Sequence, residues 1–213
     1  MEVQVKEGYY VTKKYASLER FITYFYQIDG IRRTGAKSVL FVGVGDGVVP
    51  YFLRTAGLSV TTLDFDPLLK PDVVGDIRAL PFEEQSFDLV CAFEVLEHLP
   101  LEESRVALGE LARVSRSDVL ISVPHRRTGL ELVIKFPYIR SILKRDFVRL
   151  ALLVPVRFPG FAVSKQHYWE IDGRTTTLKE FRKILGGFYT VRRELTPVLD
   201  PYRRFFELKK LTT

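Results

Sequence analysis

Phe41-Val42-Gly43-Val44-Gly45-Asp46-Gly47 is the stretch on which the reading of this chain turns. Before it, Lys37 to Val44 reads as a fully buried strand, Ser-Val-Leu-Phe-Val-Gly-Val after the lysine. After it, Val48 to Ala56 reads as a helix. Glycines between a buried strand and a helix let the backbone turn sharply and approach a ligand closely. The spacing is GxGxG. A dinucleotide fingerprint wants a glycine where this chain has Val48, so a nicotinamide or flavin site is disfavoured.

Working outward, Leu58 to Leu63 reads as a second strand that ends at Asp64. Asp72 to Val74 is a short third strand followed by Asp76, and Phe87 to Phe93 is a fourth. Glu102 to Val114 carries apolar residues at helical spacing, and Asp118 to Val123 is a fifth strand closed by Pro124. Upstream, Ala16 to Ile31 is helical in period, with Ser17 as its cap. Downstream come a capped helix, Thr176 to Leu185, and two late strands, Phe188 to Leu195 and Tyr202 to Leu211. Strands alternating with helices predict an α/β, Rossmann-like three-layer sandwich with a mostly parallel sheet and right-handed crossovers. Ligands of such sheets bind at the carboxyl ends of the strands, near the topological switch point.

Length and composition bound the rest. At 213 residues and 46% hydrophobic, the chain suits one well-filled globular domain, 1–213. We read residues 1–34 as an N-terminal helical cap and 126–175 as a lid insertion after the fifth strand. Cys91 is the sole cysteine and lies in an apolar run, where a small buried hydrophobe belongs. Met1 to Thr12 has no signal-peptide core, and the apolar run Leu150 to Val156 is far short of a membrane span. A reducing cytoplasm is the expected compartment. The net charge of +6 reads as an ordinary solvated basic surface in preference to a footprint for nucleic acid or lipid headgroups.

Two carboxylates stand where a nucleoside needs them. Asp64 lies 21 residues after Gly43, where it is placed to accept both ribose hydroxyls of an adenosine. Asp76, after Gly75, is placed to accept the adenine amino group, with Ile77 against the ring. Asp88 opens the fourth strand and reads as structural. With Leu80-Pro81-Phe82, Ser86-Phe87-Asp88-Leu89-Val90 and Phe93-Glu94-Val95-Leu96-Glu97-His98-Leu99, these pieces fall in the order and spacing of a known family over about residues 37–125. The sequence resembles the class I S-adenosylmethionine-dependent methyltransferases of the small-molecule type. The resemblance implies a seven-stranded sheet whose last strand is antiparallel. It implies S-adenosylmethionine as cofactor and S-adenosylhomocysteine as product. It implies cofactor contacts from Gly43, Val44, Gly45, Asp64, Phe65, Asp76, Ile77 and Glu94. One departure stands out: the family usually has an acidic residue two positions before the first glycine, and this chain has Phe41.

Methyl transfer from a sulfonium is an in-line displacement, so the protein mainly aligns the acceptor with the methyl carbon. A hydroxyl acceptor also profits from a general base. The candidates are His98, His125 and His167, each of which reads equally as a loop or capping residue. Two alternatives remain. Metal-independent transfer is the expectation, yet Glu94, Glu97 and His98 share a face at i, i+3 and i+4 that could hold a divalent cation, with His167 as a distant fourth ligand. A metal-dependent family that methylates the 2′-hydroxyl at RNA 3′ ends looks similar at these positions. The other alternative is a non-catalytic cofactor-binding or scaffold protein, for which Phe41 is the argument. Finally, Ile139, Ile142, Leu143, Phe147, Leu150, Ala151 and Val154 form a helical apolar stripe, with Arg140, Lys144, Arg145 and Arg149 off it. A greasy helical lid favours a small or lipid-linked acceptor over nucleic acid, and a basic amphipathic helix also suits peripheral contact with an anionic membrane. The identity of the acceptor and the oligomeric state stay open at this level.

Overall fold

The computed structural model describes residues 17–135, 138–144, 147–155, 166–173 and 176–211. Strand β1 (Ser38–Val42) forms because its apolar run is covered on both sides. Val39 and Phe41 face one way, into a cluster with Leu89, Cys91, Phe93 and Leu120. Leu40 and Val42 face the other way, against Val90, Ala92, Val119 and Ile121. That alternation of two buried faces is the signature of a central parallel strand. The sheet continues through β2 (Ser59–Asp64), β3 (Val73–Val74), β4 (Phe87–Phe93), β5 (Ser115–Pro124), β8 (Tyr189–Leu195) and β9 (Arg203–Lys210). Its seven strands run in the order β3-β2-β1-β4-β5-β9-β8. The pairs from β3 to β5 are parallel, and β9 lies antiparallel between β5 and β8. The last strand is therefore antiparallel, as the sequence implied. The order reverses between β1 and β4, which puts the switch point beside the glycine-rich turn.

Helices cover both faces. Helix α1 (Leu18–Thr34) is capped by the Ser17 hydroxyl, which accepts from the Arg20 amide, and ends at Gly35 with φ +71°. It packs with α2 (Val48–Thr55) through Tyr24, Ile31, Val49 and Leu53. On the opposite face, α3 (Leu101–Val114) buries Leu108 and Leu111, and α5 (Leu178–Leu185) buries Phe181 and Leu185. Thr177 and Glu180 form a reciprocal capping box at the start of α5. Trp169 is sealed against Phe181, and its indole N–H donates to the Leu99 carbonyl at 3.1 Å. Asp88 has the structural role expected of it. Its carboxylate accepts from the Lys37 and Ser38 amides at 3.1 and 3.0 Å, and these bonds, with Arg116, hold it well below the usual carboxylate range.

The expected helical lid is corrected by the structure. Strands β6 (Arg127–Ile134) and β7 (Val148–Pro155) form a separate antiparallel ribbon, and only α4 (Ile139–Leu143) between them is helical. Leu130 pairs with Leu152, and Leu132 with Leu150, so the apolar residues alternate along a pleat instead of stacking at helical spacing. A short apolar run satisfies either period, and here cross-strand pairing decides. Arg149, expected to point into water, ion-pairs with Glu131 at 2.7 Å and donates to the Thr196 carbonyl at 2.8 Å. Arg145 and the first sixteen residues of the expected cap lie outside the described residues.

One hydroxyl ties the free edge of the sheet to its helix layer. Tyr189 on β8 is 2% exposed, and its phenol donates to the Leu108 carbonyl in α3 at 2.6 Å. Tyr189→Phe is expected to destabilise the fold by about 1–2 kcal/mol in urea denaturation, because a buried carbonyl loses its donor. No change in midpoint would contradict this.

Candidate functional site

The site is built at the carboxyl ends of β1, β2 and β4. Gly43, Gly45 and Gly47 all have positive φ, at +85°, +58° and +75°. At Gly43 the requirement is also steric, since a Cβ there would stand 2.5 Å from Val95 Cγ2. The Gly43 amide donates to the Leu63 carbonyl at 2.8 Å, and the Val44 amide donates to Asp64 Oδ2 at 2.8 Å. Asp64 Oδ1 accepts from the Asp66 amide at 3.0 Å. Asp64 thus clamps the glycine turn to the end of β2, while each of its oxygens keeps a further lone pair. It is 6% exposed, and burial raises its carboxyl above the ordinary value against the pull of those amides. Phe65, beside it, is half-buried.

Asp76 sits across the same end of the sheet. Its Oδ1 accepts from the Arg78 amide at 2.8 Å, and the Arg78 guanidinium also engages it, so the carboxyl is held below its usual range chiefly by Arg78. Arg78 is shared with Glu103. Ile77 differs from expectation. Its side chain is 2% exposed and packs in the core with Leu63 and Leu80, so it offers a ligand its backbone and not an apolar face.

Phe41, in place of the acidic residue usual two positions before the first glycine, is 4% exposed and stacks with Phe93 at 5.7 Å. Phe93 continues to Phe205 at 5.8 Å. An aromatic cluster therefore supports the strand ends under the turn. A carboxylate nearer the turn comes from Asp46, which accepts from the Val48 amide at 3.1 Å and from the Tyr24 hydroxyl. Sequence reasoning missed Tyr24, which looked like one more position of an amphipathic helix.

Glu94 has φ +55°, a rare conformation for a residue with a side chain. Its amide donates to the Ser122 carbonyl at 2.9 Å, its Oε1 accepts from the Ser122 hydroxyl at 2.8 Å, and its Oε2 ion-pairs with Arg203 at 3.2 Å. The face proposed for Glu94, Glu97 and His98 does not assemble as such, because Leu96–His98 is a single 3-10 turn. Of the four groups weighed for a metal, the structure gathers Glu97, His98 and His167.

The three histidines separate sharply. His125 is 1% exposed and its Nε2 is bonded to Asp172 at 2.7 Å, while burial pulls its pKa down to about 4. It closes the end of β5 and is structural. His98 Nδ1 meets the Gln166 carbonyl at 2.9 Å, and burial lowers its pKa. His167 Nδ1 meets Glu170 Oε1 at 2.8 Å, and Tyr202 donates its hydroxyl to the same oxygen at 2.7 Å. The two rings lie edge to face, 5.1 Å apart. Glu97 is fully buried, and burial followed by Glu94 pushes its carboxyl well above the ordinary value.

A mostly parallel seven-stranded sheet with β9 reversed, and a glycine turn clamped by a strand-end aspartate at its switch point, define the class I methyltransferase fold. Residues 40–123 match the family model described as a methyltransferase domain, and the class recognised from the sequence motifs is the one this match supports. A curated relative, demethylmenaquinone methyltransferase of Renibacterium salmoninarum, is 34% identical over 99 residues. The aligned part is 42% of this chain and 41% of that protein, so the match spans about two fifths of the relative's length. Among solved structures, magnesium protoporphyrin IX methyltransferase from Synechocystis PCC 6803 with bound S-adenosylhomocysteine has a TM-score of 0.61 at 16% identity, covering 92% of this chain and 89% of that one. The 1,6-didemethyltoxoflavin-N1-methyltransferase of Burkholderia thailandensis, with 1,6-didemethyltoxoflavin and S-adenosylhomocysteine bound, has a TM-score of 0.56 at 16% identity, covering 89% of this chain and 79% of that one. These structures share the fold. Among the described residues, no helix is long and apolar enough to cross a membrane.

Two outcomes follow from this geometry. Gly43→Ala places a methyl against Val95 at a strained φ and is expected to cost about 2–4 kcal/mol of stability by chemical denaturation. A cost below about 0.5 kcal/mol would show that the turn relaxes freely. His125 is kept neutral in the fold, with a pKa lowered from 6.5 to about 4. Below its unfolded pKa the unfolded chain takes up the proton first, so stability is present above that value and falls as pH drops toward 4. His125→Gln is expected to flatten the melting-temperature profile between these two pH values, and an unchanged slope would remove His125 as its cause.

Proposed function

We propose that this chain binds S-adenosylmethionine and transfers its methyl group in line to a small or lipid-linked acceptor, leaving S-adenosylhomocysteine. The observation that carries this reading is Asp64, a buried carboxylate fixed by the Val44 and Asp66 amides at the switch point with lone pairs to spare. Two ribose hydroxyls can satisfy those lone pairs at little reorganisation cost. Gly43, Val44 and Gly45 would pass under the cofactor's amino-acid end, Phe65 would flank the ribose, Asp76 and the Ile77 backbone would meet the adenine edge, and Glu94 would close the site from β4. Asp46, fixed by Tyr24, would supply the carboxylate missing at Phe41. For this reason we prefer an active enzyme over a scaffold with a decayed site.

The acceptor would approach from the side of His98 and His167, which carry the candidate base, while His125 is spent on Asp172. The ribbon β6–β7 would serve as the lid of the 126–175 insertion. Its outer face presents Leu130, Leu132, Leu150 and Leu152, all exposed, which supports a greasy acceptor and peripheral contact with a lipid surface. The three relatives named above carry small-molecule methyltransferase names, which favours that acceptor class over RNA.

Calorimetry with S-adenosylhomocysteine is expected to give one site, and Asp64→Ala to weaken it by about 30- to 150-fold, the equivalent of about 2–3 kcal/mol in charge-assisted bonds. Equal affinity in the two proteins would sink the assignment of Asp64, and no binding by the wild type would sink the reading. A labelled-cofactor screen over pooled metabolites, lipid extracts and RNA then identifies the acceptor. Labelling confined to RNA would refute the small-molecule class.

A further inference from the structure

A fully buried carboxylate with nothing to hold needs an explanation. Glu97 has no exposed surface, and neither of its oxygens has a hydrogen-bond partner among the described residues. Its companions increase the cost: Glu94 and Glu170 are acidic, and Glu170 is 2% exposed. Arg203 is the cation nearest in effect, and it is committed to Glu94 and Asp200. An unpaired carboxylate in such a place costs several kcal/mol unless a proton or a cation neutralises it.

The neighbours of Glu97 favour a cation. One ligand atom each from Glu97, His98 and His167 lie within 4.8 Å of one another. Each imidazole has its Nδ1 against an oxygen: His98 against the Gln166 carbonyl at 2.9 Å, His167 against the Glu170 carboxylate at 2.8 Å. These are acceptors, so each ring carries its proton on Nδ1 and leaves the lone pair on Nε2. Outer partners of this kind fix the tautomer and orientation of metal-binding histidines. The Glu170 oxygen is steadied further by Tyr202. The backbone holds the two halves together as well, since the Tyr168 amide donates to the Glu97 carbonyl at 2.8 Å.

We propose that Glu97, His98 and His167 bind one divalent transition-metal ion, of which Zn2+ is the probe. Two imidazole nitrogens and one carboxylate oxygen form a three-ligand set that leaves coordination positions open. A tetrahedral zinc at about 2.0–2.1 Å from each ligand separates them by about 3.3 Å, so the cluster closes by rotations of side chains already in place. The ion sits beyond the carboxyl end of β4, one turn past Glu94, on the side from which an acceptor would reach the cofactor. An acceptor oxygen can fill an open position there and release its proton to water more readily for doing so, so that with the ion bound the metal takes the part of the candidate base and the two imidazoles serve as its ligands. This last role rests on the methyl-transfer reading; the binding of the ion does not.

The test uses the full chain, stripped with chelator. Titration with Zn2+ is expected to show one equivalent bound at micromolar or tighter affinity, and Co2+ to give the intense visible bands of a four-coordinate site. His167→Gln and His98→Gln are each expected to weaken Zn2+ by at least 100-fold and abolish the Co2+ bands, with S-adenosylhomocysteine affinity kept within about threefold. Glu97→Gln should do the same if it folds; the two histidine variants stand if it does not. Absence of stoichiometric binding by the wild type, or binding unchanged in both histidine variants, overturns the site. Loss of S-adenosylhomocysteine binding in the wild type would instead indict the methyl-transfer reading and leave the metal result standing.

Discussion

The structure depends on how the chain leaves β1. Val95 presses on the first glycine so closely that no side chain fits there, and the turn that follows is held by a single carboxylate from the end of β2. Together these fix three strand ends relative to one another: β1 through the glycine, β2 through Asp64, β4 through Val95. The glycine turn and the Asp64 carboxylate that clamps it thus stand together at the switch point. A parallel sheet leaves its strand-end polar groups on one rim, and here the rim is organised before any ligand arrives.

Much of this was legible in the sequence. Buried parallel strands read as continuous apolar runs, and β4 runs over the residues its apolar pattern marks, Phe87 to Phe93. The cap at Ser17 was equally legible, and so was a capped helix read from Thr176, whose cap is Thr177, because a hydroxyl before a helical period has a local cause. What failed was the segment after β5. Val148 to Pro155 is too short and too uniformly apolar for period to separate helix from strand, and its partner is the strand Arg127–Ile134, with Ile134 opposite Val148 and Arg127 opposite Pro155, a pairing no local pattern announces. The site shows the same division. Asp64 and Asp76 were found by spacing along the chain. Tyr24 on Asp46, and the Gln166 carbonyl behind His98, depend on contacts between distant parts of the chain and carry no local signal.

A second centre of charge lies beyond β4 and β5. Glu94, Glu97 and Glu170 are brought together with Arg203, His98 and His167 in a region with little solvent. Buried charges are kept where their cost is offset by partners or by function. Here the arginine is anchored on Glu94 and Asp200, and the imidazoles are oriented by outer oxygens, so the region is ordered around Glu97. The rim of β1, β2 and β4 and the charge cluster around Glu97 are thus separate constructions on adjoining strand ends. The exposed leucine face of the β6–β7 ribbon is a third, and its apolar character is what supports the proposal of a greasy acceptor over a nucleic acid.

The central claim is that the rim of β1, β2 and β4 is an S-adenosylmethionine site. A crystal structure of the chain grown with S-adenosylhomocysteine tests it most directly. The account requires both ribose hydroxyls within hydrogen-bonding distance of the Asp64 carboxylate, the adenine edge toward Asp76, and the glycine turn unmoved. Nucleoside density elsewhere on the sheet, or a ribose out of reach of Asp64, would contradict it.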